Sequence, residues 1–248
     1  MRQYLLLDDN QAFAENLAEI LRDAGDEATV VTSGDEAVRL ARTTRFDALL
    51  TDMRMPGMSG ADAVRHLRRV DPGLAAVVIT AYPRQDDLET ARREGLLAVL
   101  PKPVPIPTLV ELLSGARRDG LVVLVEDDPA LSDNLAELLR GRGFSCVTAA
   151  SVLDADRILC AQPFAALVDL RVPGGPDGEA LRRLRARYPR LPVFVITAYP
   201  DAAPLDEATG VFSKPFDPGA LLHVLETVHA ARLPTPHEPV PSFRPGGG

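Results

Sequence analysis

Short apolar runs alternate with amphipathic stretches along nearly the whole chain. In the first half, residues 4–7, 28–32, 48–51, 76–80 and 98–100 are dominated by Leu, Val, Ile and Ala, which predicts strands. Between them, 12–23, 35–42, 60–70 and 84–94 carry apolar residues at helical spacing, and 107–116 closes the series as a fifth helix. Leu17, Ile20, Leu21 and Ala24 share one face of the first helix, and Gly25 ends it. Strands that are apolar on both faces and separated by helices call for a parallel sheet covered on both sides. The predicted class is therefore α/β, a doubly wound (βα)5 unit.

The second half repeats the order. Strands fall at 122–125, 146–149, 166–168, 193–197 and 211–212, and a last helix at 220–231. Sequence echoes confirm a duplication. Asn16-Leu17-Ala18-Glu19-Ile20-Leu21-Arg22 returns as Asn134-Leu135-Ala136-Glu137-Leu138-Leu139-Arg140, Ile79-Thr80-Ala81-Tyr82-Pro83 as Ile196-Thr197-Ala198-Tyr199-Pro200, and Lys102-Pro103 as Lys214-Pro215. A period of roughly 118 residues is a whole domain and far too long for a solenoid repeat. The expected organisation is one unit over 1–118, a second over 119–232 with a shortened fourth helix, and a Pro/Gly-rich disordered tail over 233–248. The short junction at 114–120 restricts the mutual orientation of the units.

Composition narrows the class without naming it. The formal net charge is −8, and no apolar run approaches the ~18 residues of a membrane span, so the expected compartment is the cytoplasm, with neither membrane nor nucleic acid as partner. Cys146 and Cys160 lack metal-ligand spacing and are expected as reduced packing residues. Of 27 basic residues only Lys102 and Lys214 are lysines, and each precedes a proline.

Ligands of open parallel sheets bind outside the carboxyl ends of the strands. The polar residues there are Asp8 and Asp9 after the first strand, Asp52 after the third, Thr80 after the fourth and Lys102 after the fifth. With strand order 2-1-3-4-5, the three carboxylates converge. Such a cluster needs a cation, and hard oxygen donors with room for water suit Mg²⁺. A metal, an ammonium and a hydroxyl around one lone carboxylate can hold a phosphoryl group in transfer, which makes Asp52 the candidate nucleophile.

Leu6-Leu7-Asp8-Asp9, Leu50-Thr51-Asp52-Met53-Arg54-Met55-Pro56-Gly57-Met58-Ser59-Gly60, Ile79-Thr80-Ala81 and Lys102-Pro103 together resemble the receiver domains of bacterial two-component response regulators, which have a flavodoxin-like fold. The resemblance implies phosphorylation of Asp52 by a sensor histidine kinase or a histidine phosphotransfer protein. It also implies Mg²⁺ on Asp9 and Asp52, Asp8 in the outer shell, and the Arg54 carbonyl completing the sphere. Thr80 and Lys102 would contact the phosphoryl oxygens. Output would pass to a downstream protein target, with homodimerisation through the fourth helix, fifth strand and fifth helix of the first unit.

The second unit resembles the family with departures. Its acid pair is Glu126-Asp127, Asp169 stands for Asp52, the Arg171 carbonyl for that of Arg54, and Thr197 and Lys214 for Thr80 and Lys102. Phe164 precedes Asp169 by five residues where Phe46 precedes Asp52 by six, and Thr197 and Lys214 are separated by 16 residues where Thr80 and Lys102 are separated by 21. A phosphorylation-independent second unit is the alternative. A phosphatase of the haloacid dehalogenase type would need an acid where Arg54 and Arg171 stand. Tyr82 and Tyr199, two residues after each Thr, are expected to shield the site together with those arginines. Val99 and Val211 occupy the position three before Lys where the family often has an aromatic residue.

Overall fold

The computed structural model describes residues 1–81, 89, 93–158, 162–202 and 206–232. The first unit runs β1 (Gln3–Leu7), α1 (Gln11–Asp23), β2 (Glu27–Val31), α2 (Gly34–Ala41), β3 (Ala48–Asp52), α3 (Gly60–Val70), β4 (Ala75–Thr80), β5 (Ala98–Pro101) and α4 (Ile106–Gly115). The second runs β6 (Leu121–Val125), α5 (Pro129–Arg140), β7 (Ser145–Ala149), α6 (Val152–Arg157), β8 (Ala165–Asp169), α7 (Glu179–Arg187), β9 (Val193–Thr197), β10 (Gly210–Ser213) and α8 (Pro218–Ala230). Each sheet is five-stranded and parallel, ordered β2-β1-β3-β4-β5 and β10-β9-β8-β6-β7, so both have the doubly wound 2-1-3-4-5 order. Most of the helix expected over 84–94 lies outside the described residues, although Glu89, Arg93 and Glu94 are helical. The tail over 233–248, Tyr82 and Cys160 also lie outside them.

Alternation along each strand divides the core into two layers. In the first unit Tyr4, Leu6, Ala48 and Leu50 face α1 and α4, while Leu5, Leu7 and Leu49 face α2 and α3. Helix starts are capped by side chains: Asn10 accepts from the Phe13 amide, Ser33 from Glu36, and Ser59 from Asp62. At the other end of α4, the Arg2 guanidinium donates to the carbonyls of Leu113, Ser114 and Ala116, where the helix terminus supplies no further turn of amides.

The displaced phenylalanine is explained by strand register. Leu50 pairs with Leu6 and Leu167 with Leu124, so the two third strands are equivalent and the preceding loop absorbs the missing residue. Moving one position along the chain carries a side chain to the opposite face. Phe46 therefore packs on the α2/α3 layer, whereas Phe164 lies in the α5/α8 layer, stacked on Phe144 with ring centroids 5.2 Å apart.

In place of the expected shortened fourth helix of the second unit, the described residues make one 3-10 turn, Pro200–Ala202.

The units are joined tightly. Asp119, at φ 55°, accepts from Arg45 and donates its amide to the Gly73 carbonyl, Arg118 pairs with Asp71 at 2.6 Å, and the Arg117 amide donates to Gly143. The homodimer surface expected on the first unit is partly occupied by the second. A Cβ on Gly95 would lie 2.5 Å from Val147, and one on Gly143 would overlap the Gly115 carbonyl, so neither Gly95 nor the end of α4 is open to another copy.

Candidate functional site

Strand termini assemble the first site. Asp8 follows β1, Asp52 closes the adjacent β3, Thr80 closes β4, and Lys102 follows β5. One oxygen each from Asp8, Asp9 and Asp52 fall within 4.8 Å of one another. The Lys102 ammonium reaches in from the far side, 2.6 Å from Asp8 and 3.3 Å from Asp52, and lies 4.3 Å from the centre of the Phe13 ring. The second Asp8 oxygen accepts from the Asn10 amide, so the same turn that caps α1 orients the acid pair. Thr80 is buried, and its carbonyl accepts the Lys102 amide at 2.8 Å.

Gly60 ends the Asp52 motif, which assigns it no role of its own. A Cβ there would stand 2.2 Å from the Asp52 carbonyl oxygen, so glycine is what lets α3 begin directly against the end of β3. A small residue immediately after a Ser N-cap was the available signal.

The second site is built alike. Glu126, Asp127 and Asp169 each offer an oxygen within 4.8 Å of the others, and Lys214 lies 2.7 Å from Glu126 and 2.5 Å from Asp169. The longer Glu126 side chain thus meets the Lys214 ammonium as Asp8 meets that of Lys102. Its free oxygen accepts from the Asp128 amide at 3.2 Å, matching the turn at Asp8. Burial pushes the Glu126 carboxyl up, against the pull of Lys214. For Lys214, burial opposes the charge, but the hydrogen bonds it donates to Asp169 and Glu126 outweigh it and hold the ammonium above its usual value.

Around this second site the loops bring an arginine and a tyrosine together. The Arg171 amide donates to Asp169, and its guanidinium lies 3.7 Å from the centre of the Tyr199 ring while pairing with Asp177. The Tyr199 amide donates to the Thr197 hydroxyl oxygen at 3.0 Å. Arg54 is exposed beside the first site. Val99 and Val211 pack on the α2/α3 and α6/α7 layers, leaving no aromatic ring at that position.

Groups outside the sites are structural in character. Cys146 is buried, and burial pushes its thiol from 9.0 up to about 12. On α7, Arg182 and Arg183 pair with Glu179, and Arg183 also with Asp156, while Arg185 donates to the Glu207 and Leu191 carbonyls. Their charge is spent within the protein. No helix among the described residues is long and apolar enough to cross a membrane.

Fold and strand-end chemistry define a doubly wound α/β protein with an acidic, lysine-bridged pocket in each half. The chain belongs to the response regulator receiver domain family, which matches it twice, over residues 4–114 and 122–226. It is 62% identical over 232 residues to a response regulator receiver protein of Anaeromyxobacter sp. (strain Fw109-5), covering 94% of this chain and 97% of that one. It is 32% identical over 111 residues to the DNA-binding transcriptional regulator NtrC of Klebsiella pneumoniae, covering 45% of this chain and 24% of that longer protein. Among solved structures, the receiver domain of the sensor histidine kinase PA1611 from Pseudomonas aeruginosa PAO1, with a magnesium ion coordinated in its active-site cleft, is 31% identical. It covers 46% of this chain and 94% of its own, with a TM-score of 0.42. The protein is thus a tandem receiver of two-component signalling.

Proposed function

We propose that Asp52 and Asp169 are phosphoacceptors and that the protein signals by phosphorylation-dependent contact with a downstream protein. The observation that carries the reading is the same in both halves: one ammonium bridges two carboxylates at neighbouring strand ends, beside a buried threonine.

The donor is the phosphohistidine of a sensor kinase or phosphotransfer protein. An Asp52 oxygen attacks phosphorus, the P–N bond breaks, and its electron pair leaves with the imidazole, which takes up a proton. Lys102 swings its ammonium from Asp8 and Asp52 toward a phosphoryl oxygen, and the Thr80 hydroxyl donates to another. The donor set fits Mg²⁺, three clustered carboxylate oxygens facing a single ammonium; Asp9, Asp52 and the Arg54 carbonyl would hold it with Asp8 behind. When bound, it supplies charge neutralisation for the transferring group. In the second half Asp127, Asp169 and the Arg171 carbonyl take these places, with Glu126 behind. The chemistry is self-modification followed by hydrolysis, without turnover of an outside substrate.

The rival reading, a second unit that never accepts phosphate, is disfavoured by the retained Lys214 bridge. Incubation with Mg²⁺ and a small acyl phosphate, followed by intact mass measurement, decides between them. Wild type is expected to gain two phosphoryl groups, and Asp52→Asn and Asp169→Asn one each. No gain on wild type refutes the proposal, and a single gain lost in Asp52→Asn restores the rival.

A further inference from the structure

The chain between Thr80 and Lys102 leaves the first site and returns to it, so both its ends are held by groups that meet the phosphoryl oxygens. A phosphoryl group replaces the single negative charge of the Asp52 carboxylate by about two on its oxygens and draws both ends toward itself. The described far end of this segment, residues 93–97, is clamped from two directions. On one side Arg68 of α3, itself buried, donates to the carbonyls of Leu74, Glu94 and Gly95. On the other stands the second unit. Gly95 sits at φ +61°, where a Cβ would come 2.5 Å from Val147 and 2.9 Å from Leu121, and Arg140 Nε donates to the Leu96 carbonyl.

Val147 lies on β7, an edge strand that pairs only with β6 yet has four of its five residues buried, whereas β2, its counterpart in the first sheet, is largely open. The last residue of β7, Ala149, accepts the amide of Glu126, an acid of the second site, at 2.9 Å. Leu121 opens β6, the strand that ends at that same acid.

We infer that the second receiver is the docked partner of the first, and that the contact of Gly95 and Leu96 with Arg140, Val147 and Leu121 couples the two acidic sites. The route is contiguous: Thr80 and Lys102, the 93–97 end, β7 and β6, then Glu126. Coupling between two sites is reciprocal, so loading Asp169 acts back on the first unit with equal strength. This assignment rests on Asp52 and Asp169 being the acceptors.

The test uses the full chain carrying Asp169→Asn, with Mg²⁺ and beryllofluoride as the phosphoryl mimic. Loading of the first site is followed by fluorine NMR and amide exchange by mass spectrometry. Amides over 145–149 and at Glu126 are expected to change their exchange rate about fivefold on loading. Arg140→Ala is expected to load equally and to lose most of that response. The reciprocal chain, Asp52→Asn loaded at Asp169, is expected to show the change at 94–97 and serves if Arg140→Ala folds poorly. Absence of loading refutes the phosphoacceptor reading and the coupling with it. Normal loading with exchange changes confined to the loaded half, in both chains, overturns the coupling alone.

Discussion

The guanidinium of Arg171 lies 3.7 Å from the centre of the Tyr199 ring, and the same arginine is held by Asp177 from its other side. The Arg171 amide donates to Asp169 and the Tyr199 amide to Thr197, so the pair is anchored beside the proposed phosphoacceptor. Tyr199→Ala is therefore expected to shorten the lifetime of phospho-Asp169 several-fold while leaving phospho-Asp52 unchanged. Decay of the two species by intact mass, in chains with the other aspartate changed to asparagine, measures this; equal lifetimes with and without the ring exclude the shielding.

Lys102→Arg and Lys214→Arg keep the charge but replace a compact ammonium by a broad planar fork. Each pocket places its cation between two carboxylates about 3 Å away, without room for that fork. Phosphoryl incorporation at the altered site is expected to fall at least about tenfold, with unchanged circular dichroism. Incorporation at the wild-type rate would show that charge alone suffices.

Gly60→Ala sets a methyl group against the Asp52 carbonyl and forces α3 away from β3. Overpacking of this kind costs about 1–3 kcal/mol, read as a lower denaturant midpoint with unchanged slope. Incorporation at Asp52 falls in the same variant, because the strand end that carries the carboxylate moves.

Asp71→Ala leaves the half-buried Arg118 without this counter-charge at the junction of the two units, where its Nε and Nη1 already have no partner among the described residues. Breaking a fully buried pair from one side costs about 3–5 kcal/mol, and the partial exposure of Arg118 lowers that to about 1–3 kcal/mol. Thermal unfolding and small-angle scattering should show lower stability and a broader distribution of interdomain distances. An unchanged scattering profile would mean that the other junction contacts suffice to fix the orientation.

Burial, reinforced by Asp26, pushes the Tyr4 phenol from 10.0 up to about 12. Between those values the unfolded chain has lost the proton and the folded chain retains it, so stability falls as pH rises, by up to about 1.4 kcal/mol per pH unit. The Cys146 thiol, raised from 9.0 to about 12, adds a fall that starts one unit lower. Chemical denaturation from pH 9 to 12 is expected to show both slopes, and Tyr4→Phe to remove the later one.

Strands and strand-end acids were legible in the sequence because buried parallel strands are apolar on both faces, so a terminal Asp, Thr or Lys stands out. The convergence of Asp8, Asp52 and Lys102 follows from strand order alone. Phe164 was legible as an oddity but not in its outcome, since only register reveals that one missing residue transfers the ring to the opposite layer. The link between β9 and β10 is visibly short in the sequence, and its described residues include one 3-10 turn. The junction was hidden for a different reason. Arg68 and Arg140 act there by donating to backbone carbonyls, and a carbonyl has no residue identity to read.

The buried edge of β7 bears on how separable the halves are. A duplicated domain invites treatment as two beads on a string, each to be expressed, swapped or evolved alone. Here the beads are unlike. The first has an edge strand that tolerates water, while the second has come to depend on its neighbour to cover one. Cut at the junction, the second half would present Val147 and an unpaired strand edge to any other chain, inviting self-association. Duplication made two modules, and divergence has since made one of them a dependent.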